Sequence, residues 1–252
     1  MKTIALKTTS KTTRSSLWGC VFAISTSVVT TSLPVYFLSG CGSGNVFSGV
    51  VKRSDSDKAQ AALESGDYDA AIESLNAYLR DNPGDASARA MLANAYLKKS
   101  GVDLLKIGTS FSSGDQNAST WTMVSGALPS GTAENVANVQ AAVDALSSIP
   151  PEQRTDEQNY QLAVAQTTLA VTVAKKVAGD DSGQLTTEKI DQMSDSDALT
   201  IYNALKGSKD ATGAMSTPDS SLSKVGSITD GIDSQSGATE AERLRNFLKT
   251  QR

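Results

Sequence analysis

Histidine is absent from all 252 residues. That removes the one side chain that ordinarily titrates near neutral pH, and with it every Ser-His-Asp and Cys-His arrangement. Cysteine occurs only as Cys20 and Cys41, so no disulfide framework is available. Ligand spacing for zinc is missing too. No phosphate-cradling G-x-x-x-x-G-K-[ST] or G-x-G-x-x-G loop follows a strand-like run, and no convincing strand pattern occurs anywhere. The acidic runs at Asp55 to Asp57, Asp180-Asp181 and Asp195 to Asp197 lack the glycine at loop position six and the closing glutamate of a calcium loop. They read as helix caps and solvated turns. No catalytic residue, metal or cofactor is expected, and the chain is not expected to be an enzyme. Aromatic residues are scarce, at 5%, so any helix packing has to rest on Ala, Val and Leu.

Long uninterrupted apolar runs are lacking as well. Leu17 to Leu38 is broken by Ser25, Thr26, Ser27, Thr30, Thr31, Ser32 and Pro34, a poor match to the roughly twenty strongly apolar residues of a permanent membrane helix. It follows a basic stretch with Lys2, Lys7, Lys11 and Arg14 and no acidic residue, the layout of a cleaved leader. Leu38-Ser39-Gly40-Cys41 then matches the lipobox of bacterial lipoproteins at all four positions. The resemblance implies a signal peptide over 1–40, a diacylglyceryl group on the Cys41 thiol, an acylated amine, and retention on a membrane face. Gly42 in place of aspartate favours the outer membrane, by similarity to enterobacterial sorting. Without the leader, 19 basic residues face 27 acidic ones, a net charge of −8. An acidic chain argues against nucleic acid and against lying along an anionic lipid surface. Residues 41–56, rich in Gly and Ser, read as a flexible tether.

Helical spacing begins near Asp57. Ala59, Ala62 and Leu63 share one face of a first helix, Asp57 to Ser65, with Asp55, Ser56 or Asp57 as its cap and Gly66 closing it. A second helix starts near Asp69 and aligns Ala71, Ile72, Leu75, Tyr78 and Leu79, ending at Asn82-Pro83-Gly84-Asp85. A third, about Ala86 to Lys99, aligns Leu92, Ala93, Tyr96 and Leu97 before Gly101. Gly66 and Tyr68 at the turn, Ala71 and Ile72 at the crossing, Pro83 after the second helix, and Leu92-Ala93-Asn94-Ala95-Tyr96 beyond it resemble a tetratricopeptide repeat. The likeness covers one repeat and half of a second, within residues 57–107. It departs at Val102-Asp103-Leu104-Leu105, where Gly-Asp-Tyr is expected. The alternative is a generic helical hairpin with a glycine turn.

The rest is read more coarsely. Residues 108–131 form a polar loop in which Trp121 either anchors a partner or folds back over an open end of the core. Residues 132–206 hold a helical hairpin and a short helix. Thr132 to Ser148 carries a Val136, Val139, Val143, Leu146 stripe and stops at Pro150-Pro151. Thr155 caps a long helix to about Ala178, and a short helix runs from Ser194 to Leu205. Residues 207–252 form a loosely ordered segment, with one weak amphipathic helix through Leu222, Val225, Ile228 and Ile232, and a C-terminal helix through Leu244, Phe247 and Leu248.

The expected fold is therefore all-α: tetratricopeptide-like helical hairpins in a short solenoid or irregular bundle, with long flexible loops. The resemblance to repeat-containing outer-membrane lipoproteins implies a protein-interaction scaffold for an envelope assembly or transport system, periplasm-facing, with another envelope protein or peptide as partner. Groove-lining candidates are Arg89, Asn94 and Lys98, with Asn94 equally suited to cross-linking helices. Two other readings stay open: a carrier of small apolar ligands with Val102 to Ile107 lining its pocket, and a purely structural lipoprotein.

Overall fold

The computed structural model describes residues 54–103, 107, 120–180, 184–218 and 220–251, apart from the side chains of Thr120, Thr122 and Met123. The proposed leader, Cys41 and most of the tether lie outside these residues.

Ten α-helices are described: α1 (Asp55–Ser65), α2 (Tyr68–Asp81), α3 (Ala86–Lys99), α4 (Thr120–Ala127), α5 (Ala133–Ser147), α6 (Asp156–Ala178), α7 (Thr187–Gln192), α8 (Asp195–Gly213), α9 (Ser220–Asp233) and α10 (Glu240–Thr250). No strand occurs among the described residues. Short polar side chains start most of the helices, because the first turn leaves amide donors unpaired. Ser54 caps α1 in a reciprocal box with Asp57, so the helix begins two residues ahead of the sequence expectation. Asp67 caps α2, Asp85 caps α3, and Thr132 caps α5. Thr155 and Gln158 form a second box at α6, and Thr239 and Glu242 a third at α10. Gly66 ends α1 at φ 79°, in the left-handed region that glycine adopts without steric cost.

Asp85 does two jobs at the α2–α3 turn. Its carboxylate accepts from the Ala88 amide at 2.9 Å and from the Tyr78 hydroxyl at 3.0 Å. The hydrogen bond from the Ala88 amide holds this carboxyl below the usual carboxylate range, and the hydrogen bond to Asp85 pushes the Tyr78 phenol up.

Packing follows one rule along the chain. α2 rests on α1, α3 on α2, α5 on α3, α6 on α5, α8 on α6, and α9 and α10 on α8. The core hairpins are thus α1/α2, α3/α5 and α6/α8, an all-α tetratricopeptide-like solenoid. Residues 101–131 are an insert between the second pair. Pro150-Pro151, read from sequence as the inner turn of a hairpin, joins successive hairpins, as Pro83 does. In the helix before each proline turn an Ala-Leu pair four residues apart is fully buried: Ala71 and Leu75 of α2, and Ala142 and Leu146 of α5.

Four sequence expectations need correction. The loop over 108–131 contains α4, whose Trp121 is 2% exposed and whose Val124 is equally buried. The loosely ordered segment from 207 is helical over much of its length, as the end of α8 and as α9. The short helix after Ser194 runs on to Gly213 because its small residues are contact points. Ser208 is fully buried, with its hydroxyl 2.8 Å from that of Thr167, and a Cβ on Gly207 would stand 2.4 Å from the Gln166 amide. Finally, the single stripe expected on α6 is a helix buried nearly all round, since α3, α5, α7, α8 and α9 all touch it.

The insert is lashed to α6 by one cation. The Lys175 ammonium donates to the carbonyls of Ser125 at 2.7 Å, Leu128 at 2.9 Å and Pro129 at 3.2 Å. A Cβ on Gly131 would stand 2.3 Å from the Lys176 backbone nitrogen, so the chain leaving α4 lies directly on α6. Burial pushes the Lys175 pKa below the ordinary lysine value.

Leu75→Ala and Leu146→Ala should each cost about 2–5 kcal/mol in urea unfolding, because each empties a closed site at a hairpin crossing. Lys175→Met removes a donor shared by three carbonyls, of which Ser125 keeps the Leu128 amide. In a Trp18→Phe background it should red-shift Trp121 fluorescence under native conditions, whereas Lys176→Met should not. The folded chain releases the Lys175 proton at a lower pH than the unfolded chain. Between those two values the unfolded state binds more protons, so stability attributable to this residue rises with pH across the window. Urea midpoints of wild type and Lys175→Met, compared through the alkaline range, check the sign.

Candidate functional site

The first helices of the three hairpins, α1, α3 and α6, enclose an open groove of about 540 Å³. Gln60, Leu63 and Glu64 of α1 line it, with Ser87, Ala90, Met91, Asn94 and Lys98 of α3, and Thr155, Glu157, Gln158 and Gln161 at the start of α6. Steps of three and four along α1 and α3 put these residues on one face of each helix. Beside that face, Ala59 on α1 and Ala93 on α3 are fully buried in the core.

The lining is mixed. Leu63, Ala90 and Met91 supply apolar surface; Glu64, Glu157 and Lys98 supply charge. Two of the amides are engaged in the fold. Gln60 donates to Glu64 at 2.8 Å. Gln158 accepts from the Thr155 amide at 3.0 Å and donates to the Ala86 carbonyl at 3.3 Å, tying the start of α6 to the start of α3. The Gln161 side-chain oxygen is buried without a hydrogen-bond donor. The Asn94 amide and the Lys98 ammonium make no side-chain hydrogen bond or ion pair among the described residues.

The sequence candidates separate here. Asn94 and Lys98 stand side by side in the groove, one turn apart on α3. The cross-linking role left open for Asn94 has no bond behind it. Arg89 does not belong to the groove. Its guanidinium donates to the Pro83 carbonyl, at 3.1 Å from Nε and 2.5 Å from Nη2, and reaches the Ser148 hydroxyl. It therefore staples the turn after α2 to the turn after α5. Trp121 is buried, so it covers the core and offers no exposed anchor. Cys41 lies outside the described residues.

Met91, Glu157 and Gln161 were not singled out from sequence. A signal existed for two of them. Glu157 and Gln161 are polar positions at the start of a helix that is otherwise closely apolar, on the side that continues the Asn94 face.

The pocket expected of a ligand carrier is not formed at Ile107. Val102 and Ile107 are buried, and the space enclosed by Ile107, Val124, Leu128, Val164, Thr167, Thr168, Leu222 and Val225 is about 10 Å³. That holds at most a water, against the roughly 300–1,000 Å³ of small-molecule sites.

Residues 62–99 match the family model of the tetratricopeptide repeat. Repeats of this kind generally build protein-interaction scaffolds. The match spans the end of α1, all of α2 and all of α3. The hairpins after it follow from the packing alone. No curated protein and no solved structure matches the chain.

Arg89→Ala should lower the urea midpoint, since two inter-hairpin turns lose their link. Asn94→Ala and Lys98→Ala should leave stability within about 0.5 kcal/mol, as expected of surface changes that break no contact. A fall in midpoint for Lys98→Ala as large as for Arg89→Ala would show that the groove face is structural.

Proposed function

We propose that the chain is a lipid-anchored, periplasm-facing scaffold of a bacterial envelope, holding a protein partner of an assembly or transport system in the α1/α3/α6 groove. The observation that carries this reading is the groove itself. Three consecutive hairpins turn their first helices to one opening, and its central helix leaves Asn94 and Lys98 uncommitted to the fold. Repeated units that present equivalent faces make an extended surface for a partner chain. Binding, and not catalysis, is what such a surface does.

The membrane half of the reading rests on Leu38-Ser39-Gly40-Cys41. One acyl chain holds a protein only weakly, and several hold it firmly, so a diacylglyceryl group plus an acylated amine at Cys41 suffices as an anchor. The Gly- and Ser-bearing residues after it give the repeat region reach from that anchor. Outer-membrane placement follows from Gly42 as a further part of the proposal.

Two variants test the two halves independently. Crosslinking in intact cells, followed by pull-down through a C-terminal tag, should recover one dominant envelope partner from wild type and lose it from Asn94→Ala/Lys98→Glu. Recovery of the same partner at the same yield from the double variant removes the groove from the proposal. Cys41→Ser should abolish incorporation of labelled palmitate and release the protein from the membrane fraction; a variant that stays membrane-bound removes the lipid anchor.

A further inference from the structure

The groove does not end where its open part ends. Along α6, Glu157 and Gln161 line the opening, while Val164 and Thr168 line the small enclosed space beneath α4. These four positions fall at i, i+4, i+7 and i+11, which is one face of one helix. The open groove and the seat of α4 are therefore two lengths of a continuous surface, one uncovered and one covered. The cover is a helix of eight residues, α4, packed on α9 and fastened by the Lys175 ammonium. Val124 and, just past its end, Leu128 face that surface, and Trp121, three residues before Val124, is buried with them.

We propose that the open part of this surface takes a short amphipathic helix of a partner protein, apolar at i, i+3 and i+7, seated on Leu63 and Met91 as α4 is seated on Val164 and Thr168. The proposal rests on the scaffold reading above and names the class of partner.

Dimensions and chemistry agree with it. From Ser87 to Lys98 the α3 face extends about 16 Å at the α-helical rise, the length of a three-turn helix. The apolar lining of Leu63, Ala90 and Met91 is bordered by the charges of Glu64, Glu157 and Lys98. A helix with one apolar stripe buries that stripe there and leaves its polar face in water, the arrangement of helix-in-groove recognition.

The probe is a hydrocarbon-stapled peptide of residues 118–131 of this chain, with a benzophenone in place of the Trp121 ring, added to the full-length protein. Saturable binding is expected, with photocrosslinks on Leu63 and Met91. Met91→Glu and Leu63→Glu should each weaken binding at least tenfold, with circular dichroism and urea midpoints showing that both variants fold. A peptide with proline at the position of Val124, which cannot continue the helix, should bind at least tenfold more weakly. Four outcomes overturn the proposal. One is no saturable binding. The second is equal binding of the proline peptide, which would mean an extended ligand. The third is crosslinks confined to Val164 and Thr168, which would mean displacement of α4 from its own seat. The fourth is concentration-dependent dimerisation of the protein that Met91→Glu abolishes, which would assign the surface to a second copy. If the peptide fails while the cellular partner is still lost from Asn94→Ala/Lys98→Glu, the scaffold stands and only the helical class of its partner falls.

Discussion

The structure depends on how closely its helices approach one another. Ala59, Ala71, Ala93, Ala142 and Ala163 are all fully buried, one on each of the first five helices of the solenoid. A methyl side chain at a crossing lets two helix backbones come near, and larger neighbours such as Leu75 and Leu146 then close the space on either side. With few aromatic rings to fill wide gaps, this is the arrangement the composition permits. It has a consequence for the surface. Hairpins packed through small residues on one side turn the remaining face of α1, α3 and α6 outward together, and that shared face is the groove.

α6 is where the constraint is strictest. It touches five other helices and has buried residues through nearly all of its length. Its buried threonines satisfy themselves on the helix: Thr167, Thr168 and Thr172 each donate to the carbonyl four residues back, at 2.8 Å. Polar side chains that bond locally can be buried without partners from other elements. That leaves α6 free to serve as packing surface on most sides and as groove wall at its first turns. The Lys175 ammonium ties α6 to the insert through three carbonyls at the end of α4, two of which, Leu128 and Pro129, lie past its last residue.

Much of this was legible in the sequence, where the determinants are local. Gly66, Pro83 and Thr155 mark their turns and caps by chemistry that acts over three or four residues, and the bounds of α3 and α6 follow from them. What the sequence did not show depends on contacts between distant segments. Gly207 and Ser208 look like helix breakers, yet they sit where α8 meets Gln166 and Thr167 of α6, and there small size is what the contact requires. Trp121 lies in a run of serine and threonine whose helix is held from outside, by Lys175 and by α9. Arg89 and Lys98 are both cations on α3, and only the approach of the Ser148 turn makes one a staple and leaves the other in the groove. The skip from α3 to α5 across the insert is likewise invisible in periodicity, because it is a property of pairing and not of either helix.

The insert bears on function as well as on fold. A repeat array normally places the second helix of a hairpin directly after the first, and here the chain departs from that order after Gly101, where the left-handed glycine at φ 79° ends α3 as Gly66 ends α1. The same chemical signal is thus followed once by a short turn and once by a long excursion. Its described apolar residues Ile107, Val124 and Leu128 face α6 and α9, covering surface there. A domain that needed only to stack hairpins has no use for such a cover. One that must present a groove of limited length does, because uncovered apolar surface beyond the partner's reach invites non-specific association. The opening, lined along α3 from Ser87 to Lys98, is the part of the array left uncovered.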